Sequence, residues 1–477
     1  MFKLPKLTKQ ERSWVLYDIA NSAFILTVIT IFFPILYEMI YMAPHVADGI
    51  VKYIVVGGDD VLNPDYTAIW IGSTGVTGGT QIFKYMTSVL ALVVAVISPM
   101  IGSWSNYKGN KKKFFIIFLA VAVIGGIGLS VPGYGWITLL VIFFITSMGY
   151  NLTNVIYDAF LVDVTSEDKM DEISATGFAW GYIGSLIPFF IGLIPYALVL
   201  FGMIKPGFLG LSAFELERLA ISFAFLVSIV WWIYYSLPLL RDVEQTYELE
   251  KGGNDIGDSF KRLMQTLSEM IKLKHILIFL IAYLLYIDVV NSVIRLATNI
   301  GGDLGVGSMT MLGVVVLVQV VAFPSAILYG RLVKKYGNKL MIYYGIVIYG
   351  IGVFMVYLIS ADTTWLMWIV GLLIGTAQGG IQSVSRSYYA KMVPYEKAND
   401  FFGFFSVFGR FAGIFSPFII AMFQSEALLG TNGAVLLLMI PLVISMVVLY
   451  FVNPPEKSTT IVDHTKVKTI VEGETLE

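Results

Sequence analysis

Gly102-Ser-Trp-Ser-Asn-Tyr-Lys-Gly109-Asn110-Lys111 and Gly330-Arg-Leu-Val-Lys-Lys-Tyr-Gly337-Asn338-Lys339 share one pattern: a glycine, six residues, then Gly-Asn-Lys. Glycine permits a tight turn and a close approach of helices. Each stretch follows the second apolar segment of its own half of the chain. One such match is within chance, but two at equivalent positions argue for duplicated halves. Parallel repeats are a known plan of membrane transporters.

The sequence around these loops is apolar. Of 477 residues, 57% are hydrophobic and 13% charged, with a mean hydropathy of +0.79. A soluble protein carries about 25% charged residues, so this is an integral membrane protein whose first partner is the lipid bilayer. The net charge of −2 gives no sign of nucleic-acid binding. With no cysteine there is no disulfide framework, thiolate catalysis or zinc thiolate site. The start, MFKLPKLTKQERSW, is basic, but the apolar segment after it is too long for a signal-peptide core and reads as a retained anchor.

A spanning helix needs about 20 mostly apolar residues, and twelve such stretches emerge, six on either side of a polar run. The first lies near Trp14–Tyr41, the seventh near Ile276–Ala297 and the eleventh near Phe401–Phe423. The polar run at 241–274 reads as a linker, and Ile256, Phe260, Leu263, Leu267 and Ile271 within it repeat at the spacing of an amphipathic surface helix. The expected organisation is an N-terminal six-helix half at 1–240, the linker at 241–274, a C-terminal half at 275–453 and a flexible tail at 454–477. The basic residues test the count independently. Loops on the side of the N-terminus hold 24 Lys and Arg, and the opposite loops hold 3. This asymmetry places both termini and the linker in the cytoplasm. The fold class is therefore all-α and membrane-spanning, with twelve helices in two repeated halves. The longest loop on the other side, Ala43–Thr80, carries Asp48, Asp59, Asp60 and Asp65, but their spacing is not that of an EF-hand, and a solvated turn is expected rather than a metal site.

The repeated loop resembles the signature of the major facilitator superfamily between its second and third, and eighth and ninth, helices. That family usually has an acid four residues after the first glycine. Asn106 and Lys334 stand there instead, which puts in doubt the gating salt bridge made by that acid. A narrower resemblance covers most of the chain. Trp14-Val-Leu-Tyr17-Asp18-Ile-Ala-Asn21-Ser22-Ala23-Phe24, Gly379-Gly380-Ile-Gln382-Ser-Val-Ser385-Arg386-Ser387 and Phe401-Phe402-Gly403-Phe404 look like the branch containing the fungal vacuolar amino-acid effluxers of autophagy and many bacterial permeases. The resemblance implies a transporter of amino acids or short peptides. The expected location is the cell membrane, in a bacterium the plasma membrane.

An ionisable group at bilayer depth costs about 2.5–3.5 kcal/mol on insertion scales, so it usually faces a cavity or a partner. Asp288 and Arg410 fall near the midplane, and Arg295 shares a helix face with Asp288. Arg410 or Arg295 is the expected acceptor of a substrate carboxylate, through bidentate guanidinium geometry. Asp288 is the expected carrier of a coupling proton. An ion pair between Asp288 and Arg410 that only holds two helices is the bland alternative. Uncharged polar stripes add Asn291 in the seventh span, Asn151 and Asn154 in the fourth with Asp158 as a second proton site, Asn21 in the first, and Gln378 and Gln382 in the tenth. Some of these polar groups simply glue helices together. Asp18, Asp163 and Arg386 lie near the cytoplasmic ends, where interfacial anchoring or helix-end pairing is expected. Asp18 and Arg386 also join Gly102, Gly109, Lys111, Gly330, Gly337 and Lys339 as gating candidates.

These features favour a secondary transporter without cofactor or metal, working by alternating access and driven by protons. No Walker A string supports nucleotide-driven pumping, and no HExxH or GxSxG string supports a membrane enzyme. A lipid-handling protein, or a receptor or scaffold on the same fold, is the alternative. Only the missing loop acids hint at the latter.

Overall fold

The computed structural model describes residues 6–56, 59–70, 72–73, 76–247, 264–265, 267–268, 270–303, 306, 308–412, 415–423 and 429–453. Eleven helices among the described residues are long and apolar enough to cross a membrane. In the first half they are α1 (Lys9–Ala47), α2 (Gly79–Ser105), α3 (Asn110–Ser130), α4 (Trp136–Ala159), α5 (Met170–Leu200) and α6 (Ala213–Asp242). In the second they are α7 (Lys274–Asp303), α8 (Ser308–Tyr336), α9 (Asn338–Tyr357), α10 (Leu366–Met392) and, at the end of the chain, a helix spanning Gly430–Tyr450. The eleventh expected span is not one helix. It is divided into α11 (Ala398–Phe411) and α12 (Phe415–Phe423), so the last helix is α13. Of the expected amphipathic linker helix, Ile256, Phe260 and Leu263 lie outside the described residues, while 264–265, 267–268 and 270–272 are helical.

α1 starts on a capping box, with the Thr8 hydroxyl accepting from the Glu11 N–H and the Glu11 carboxylate accepting from the Thr8 N–H. Midway it widens into a π-helical stretch at Ile25–Phe32. Pro34 follows directly, and a proline has no N–H to return to the preceding turn, which is where such a register shift ends. The loop after α1 is more ordered than the solvated turn expected there. Tyr53–Val56 pairs antiparallel with Asp59–Leu62, and a short helix, Pro64–Trp70, brings Trp70 against Tyr37 and Tyr41.

The two repeated loops do the same job at equivalent places. Gly109 and Gly337 adopt φ of +73° and +81°, which turn the chain into α3 and α9 at low cost only for glycine. Gly102 and Gly330 lie where the halves meet. A Cβ on Gly102 would stand 2.3 Å from the Asn399 carbonyl oxygen, and one on Gly330 would stand 2.6 Å from the Ala175 Cβ. Thus α2 packs on α11 and α5 on α8, and these two seams join the halves.

Candidate functional site

The stripe Gln378, Gln382, Arg386 runs down one face of α10 at four-residue spacing and ends on a cation. Arg386 is 3% exposed and reaches across to the other half. Its Nη2 donates to Asp18 Oδ2 of α1 at 3.2 Å and its Nη1 to Asp158 Oδ1 of α4 at 3.2 Å. Nε donates to Ser174 Oγ of α5 at 3.0 Å, and Nη2 also to the Ser174 carbonyl at 3.1 Å. The guanidinium plane is walled by Trp14 and Phe178, with ring centroids 4.6 and 4.3 Å from Cζ. Such rings favour a cation electrostatically while excluding water. One arginine from the second half is thus held by three helices of the first.

That pocket is rigid on the first-half side. Trp14 Nε1 donates to the Tyr157 carbonyl at 3.0 Å, the Tyr157 hydroxyl donates to the Trp14 carbonyl at 3.2 Å, and the two rings stack 4.7 Å apart. Gly177 of α5 leaves room for the Asp18 carboxylate, whose Oδ2 lies 2.2 Å from where a Cβ would be. Asp18 and Arg386 are therefore buried and paired between helices, which is the pairing and not the interfacial anchoring that their chain positions suggested. Trp14, Tyr157, Ser174 and Phe178 are members that sequence reasoning missed.

One turn further from this end, Asn154 Nδ2 donates to Asn21 Oδ1 at 3.2 Å, and the Tyr182 hydroxyl donates to Gln382 Oε1 at 3.2 Å. The stripes on α1, α4, α5 and α10 therefore face one another. Within them Asn154 Oδ1 and Gln378 Oε1 have no hydrogen-bond partner among the described residues, nor does Gln319 Oε1 of α8. Buried amide oxygens without a partner are uncommon in folded proteins. Asn151 and Asn291 are half-buried. The side chains of Arg295 and Arg410 lie outside the described residues.

Asp288 is 2% exposed, and its Oδ2 accepts from the backbone N–H of Ser416 at 2.7 Å and from the Ser416 hydroxyl. It caps the start of α12 from a neighbouring helix, satisfying a backbone donor that the division of the eleventh span leaves open.

At the same end as Arg386, the missing loop acids are replaced in two different ways. At the α2–α11 seam, Asn106 Oδ1 accepts from the Asn399 N–H at 3.2 Å and from Asn399 Nδ2 at 2.9 Å, so an amide oxygen caps α11 without charge. At the α5–α8 seam the polarity is inverted. Lys334 pairs with Glu172, while Asp171 accepts from Lys391, from Asn338 Nδ2 at 2.6 Å and from Ser387 Oγ at 2.6 Å. The acids sit on α5 instead of on the loop.

The two equivalent lysines each act within their own half. Lys111, 1% exposed, forms an ion pair with Asp163 at 2.5 Å. Asp163 Oδ1 also accepts the backbone N–H groups of Thr246 and Tyr247, at 2.8 and 3.0 Å, so the chain leaving α6 is tied down there. Tyr247 in turn packs on Tyr395 of the other half, whose hydroxyl donates to Glu167 at 3.1 Å. Burial pushes the Tyr395 phenol above its ordinary range, which keeps it a donor. Lys339 donates to the carbonyls of Tyr450 and Val452, at 2.6 and 3.0 Å, at the end of α13.

Comparisons with known proteins agree with this architecture. The family described as "Vacuole effluxer Atg22 like" matches residues 8–460. The chain is 37% identical over 460 residues to the uncharacterized MFS-type transporter YxiO of Bacillus subtilis (strain 168), covering 96% of this chain and 98% of that one. It is 23% identical to autophagy-related protein 22 of Kluyveromyces lactis, covering 87% of each. Among solved structures, the human organic anion transporter MFSD10 superposes with a TM-score of 0.66 at 12% identity, over 93% of this chain and all of that one. The transporter FucP does so with a TM-score of 0.61 at 11% identity, over 93% and 98%. The chain has the major facilitator fold and belongs to the vacuole effluxer Atg22-like family of transporters.

Proposed function

We propose that this chain is a secondary active transporter of the cell membrane, in a bacterium the plasma membrane. It moves a small polar or amphipathic solute by alternating access, with amino acids and short peptides as the first candidates. The observation that carries the reading is Arg386, a cation of one half buried among acids of the other. The end of the bundle that carries the basic loops is assigned to the cytoplasm, with both termini, by the asymmetry of Lys and Arg. In this arrangement the cytoplasmic seam is closed by the Arg386 cluster, by Asn106 on Asn399 and by Asp171 with Lys391. Rocking of the two halves toward the inward-open state has to break these contacts, since each joins α1, α2, α4 or α5 to α10 or α11.

The same cluster suggests how protons enter. Two carboxylates face one guanidinium, so withdrawal of Arg386 leaves Asp18 and Asp158 close together in an aromatic pocket. Like charges in a poorly solvated site favour protonation of one of them. Asp158, with 27% of its side chain exposed against 6% for Asp18, is the one that water reaches. Protonation of Asp158 accordingly accompanies opening toward the cytoplasm. Asp288 keeps the role of a helix cap. The polar face above the cluster, with the free oxygens of Asn154 and Gln378, is the proposed contact surface for the solute. No residue is assigned bond-making chemistry.

Counterflow in proteoliposomes with a panel of radiolabelled amino acids and dipeptides, at two pH values, tests the reading. Exchange of one compound class that responds to pH is the expected result. Saturable binding of such a compound with no movement across the bilayer overturns it in favour of a receptor.

A further inference from the structure

α8 and α9 each lie along α10 far more than along one another. Between them they leave a groove of about 700 Å³, floored by Thr376 of α10. That volume is in the range of small-ligand pockets and has room for one hydrocarbon chain. The groove opens sideways, because Leu328, Leu340 and Val347 on its lips are exposed apolar residues. It therefore faces the bilayer and not the seam between the halves.

Two observations define what fits. The first is polar. Tyr329 lines the groove, is 2% exposed, and its hydroxyl has no hydrogen-bond partner among the described residues. Its ring lies against Gly380, where a Cβ would come within 2.2 Å of it, so it is seated deep against α10. A bare hydrocarbon chain leaves that hydroxyl unsatisfied, which is costly away from water. The second is charge. At the end where α8 turns into α9, Lys335 is exposed and its Nζ stands 5.0 Å over the ring of Tyr336, which lines the groove. Lys339 follows just after the turn, and its two bonds to backbone carbonyls leave one of its three ammonium protons.

We propose that this groove is a binding site for an anionic glycerophospholipid of the leaflet at the basic end. One acyl chain lies between α8 and α9 with its ester carbonyl accepting from the Tyr329 hydroxyl, and the phosphate sits at Lys335 and Lys339. Basic pockets between transmembrane helices bind anionic head groups in this way. The site is separate from the Arg386 cluster and does not depend on what is transported.

The test uses the full-length protein, purified in detergent, stripped of lipid and titrated by native mass spectrometry. The probes are phosphatidylglycerol, phosphatidylcholine and soluble glycerol 3-phosphate. Phosphatidylglycerol is expected to occupy one site roughly tenfold more tightly than phosphatidylcholine. Lys335→Gln combined with Lys339→Gln is expected to abolish that ratio, and Ser325→Leu, inside the groove, to weaken both lipids. Equal binding of the two lipids overturns the proposal and leaves only annular lipid. Glycerol 3-phosphate binding as tightly as the lipid overturns it in favour of a free-anion site. A dimer mass in the lipid-free protein gives the face to a second copy. Should Ser325→Leu fail to fold, the surface lysine pair decides alone.

Discussion

Arg386 donates from Nη2 to Asp18 Oδ2 at 3.2 Å, across 368 positions of sequence and from one half of the molecule to the other. A buried ion pair is expensive to desolvate, and removing one partner leaves an uncompensated charge that costs about 3–5 kcal/mol. Arg386→Gln is therefore expected to lower thermal stability steeply. Arg386→Lys keeps the charge but not the planar fork that serves Asp18, Asp158 and Ser174 together. Its expected signature is milder destabilisation with faster labelling of a cysteine introduced at the seam beside Arg386. Unchanged labelling in a folded Arg386→Lys protein would show that the cluster does not hold the seam.

Asp158 and Asp18 separate in the proposed coupling by their access to water. Asp158→Asn is expected to flatten the pH dependence of net uptake while leaving counterflow, which needs no net proton movement, within about threefold of the parent. Asp18→Asn keeps one carboxylate near Arg386 and is expected to retain a pH response at lower rate. The measurement is uptake and counterflow side by side across a pH series for each variant. A full pH response in Asp158→Asn sinks the assignment.

Asp288 gives the opposite prediction. Asparagine caps a helix about as well as aspartate, whereas alanine costs about 1 kcal/mol. Asp288→Asn should leave stability and pH-dependent flux near those of the parent, and Asp288→Ala should lower stability alone. Loss of pH-dependent flux in a stable Asp288→Asn protein would return the proton to Asp288.

The sequence makes the fold legible because its governing signals are local. Apolar segments of spanning length, the bias of lysine and arginine, and the paired glycine loops each report on a few consecutive residues. The φ values of +73° at Gly109 and +81° at Gly337 are what those loops require. The site is legible only as faces. Four-residue spacing puts Gln378, Gln382 and Arg386 on one side of α10 and Asn154 with Asp158 on one side of α4, and both stripes end on a charge. Which stripe meets which depends on packing between halves, to which periodicity is blind. Depth alone does not show a partner either. Asp288 lies where a proton carrier would, and the division between α11 and α12 also gives it a backbone donor to cap.

Lys111 and Asp163 offer the cleanest separation of structure from transport. Their side chains are 1% and 0% exposed, and Asp163 also holds the backbone of Thr246 and Tyr247, where the chain leaves the first half. Asp163→Ala strands a buried ammonium and two backbone donors, and the expected cost is about 3–5 kcal/mol. Lys111→Met alone leaves Asp163 its two backbone donors, so it should cost less. If the pair acts as a unit, adding Lys111→Met to Asp163→Ala should recover part of the loss, because the stranded ammonium is gone. A double-mutant cycle on thermal unfolding reads this directly, with a coupling energy of about 1–3 kcal/mol expected for contacting buried charges. Additive losses would mean that Asp163 serves the linker and Lys111 serves α3 independently. Protease sensitivity just after Tyr247 then gives the second readout. It should rise in Asp163→Ala and stay at the parental level in Lys111→Met, since only the first removes the acceptor that fixes the start of the linker.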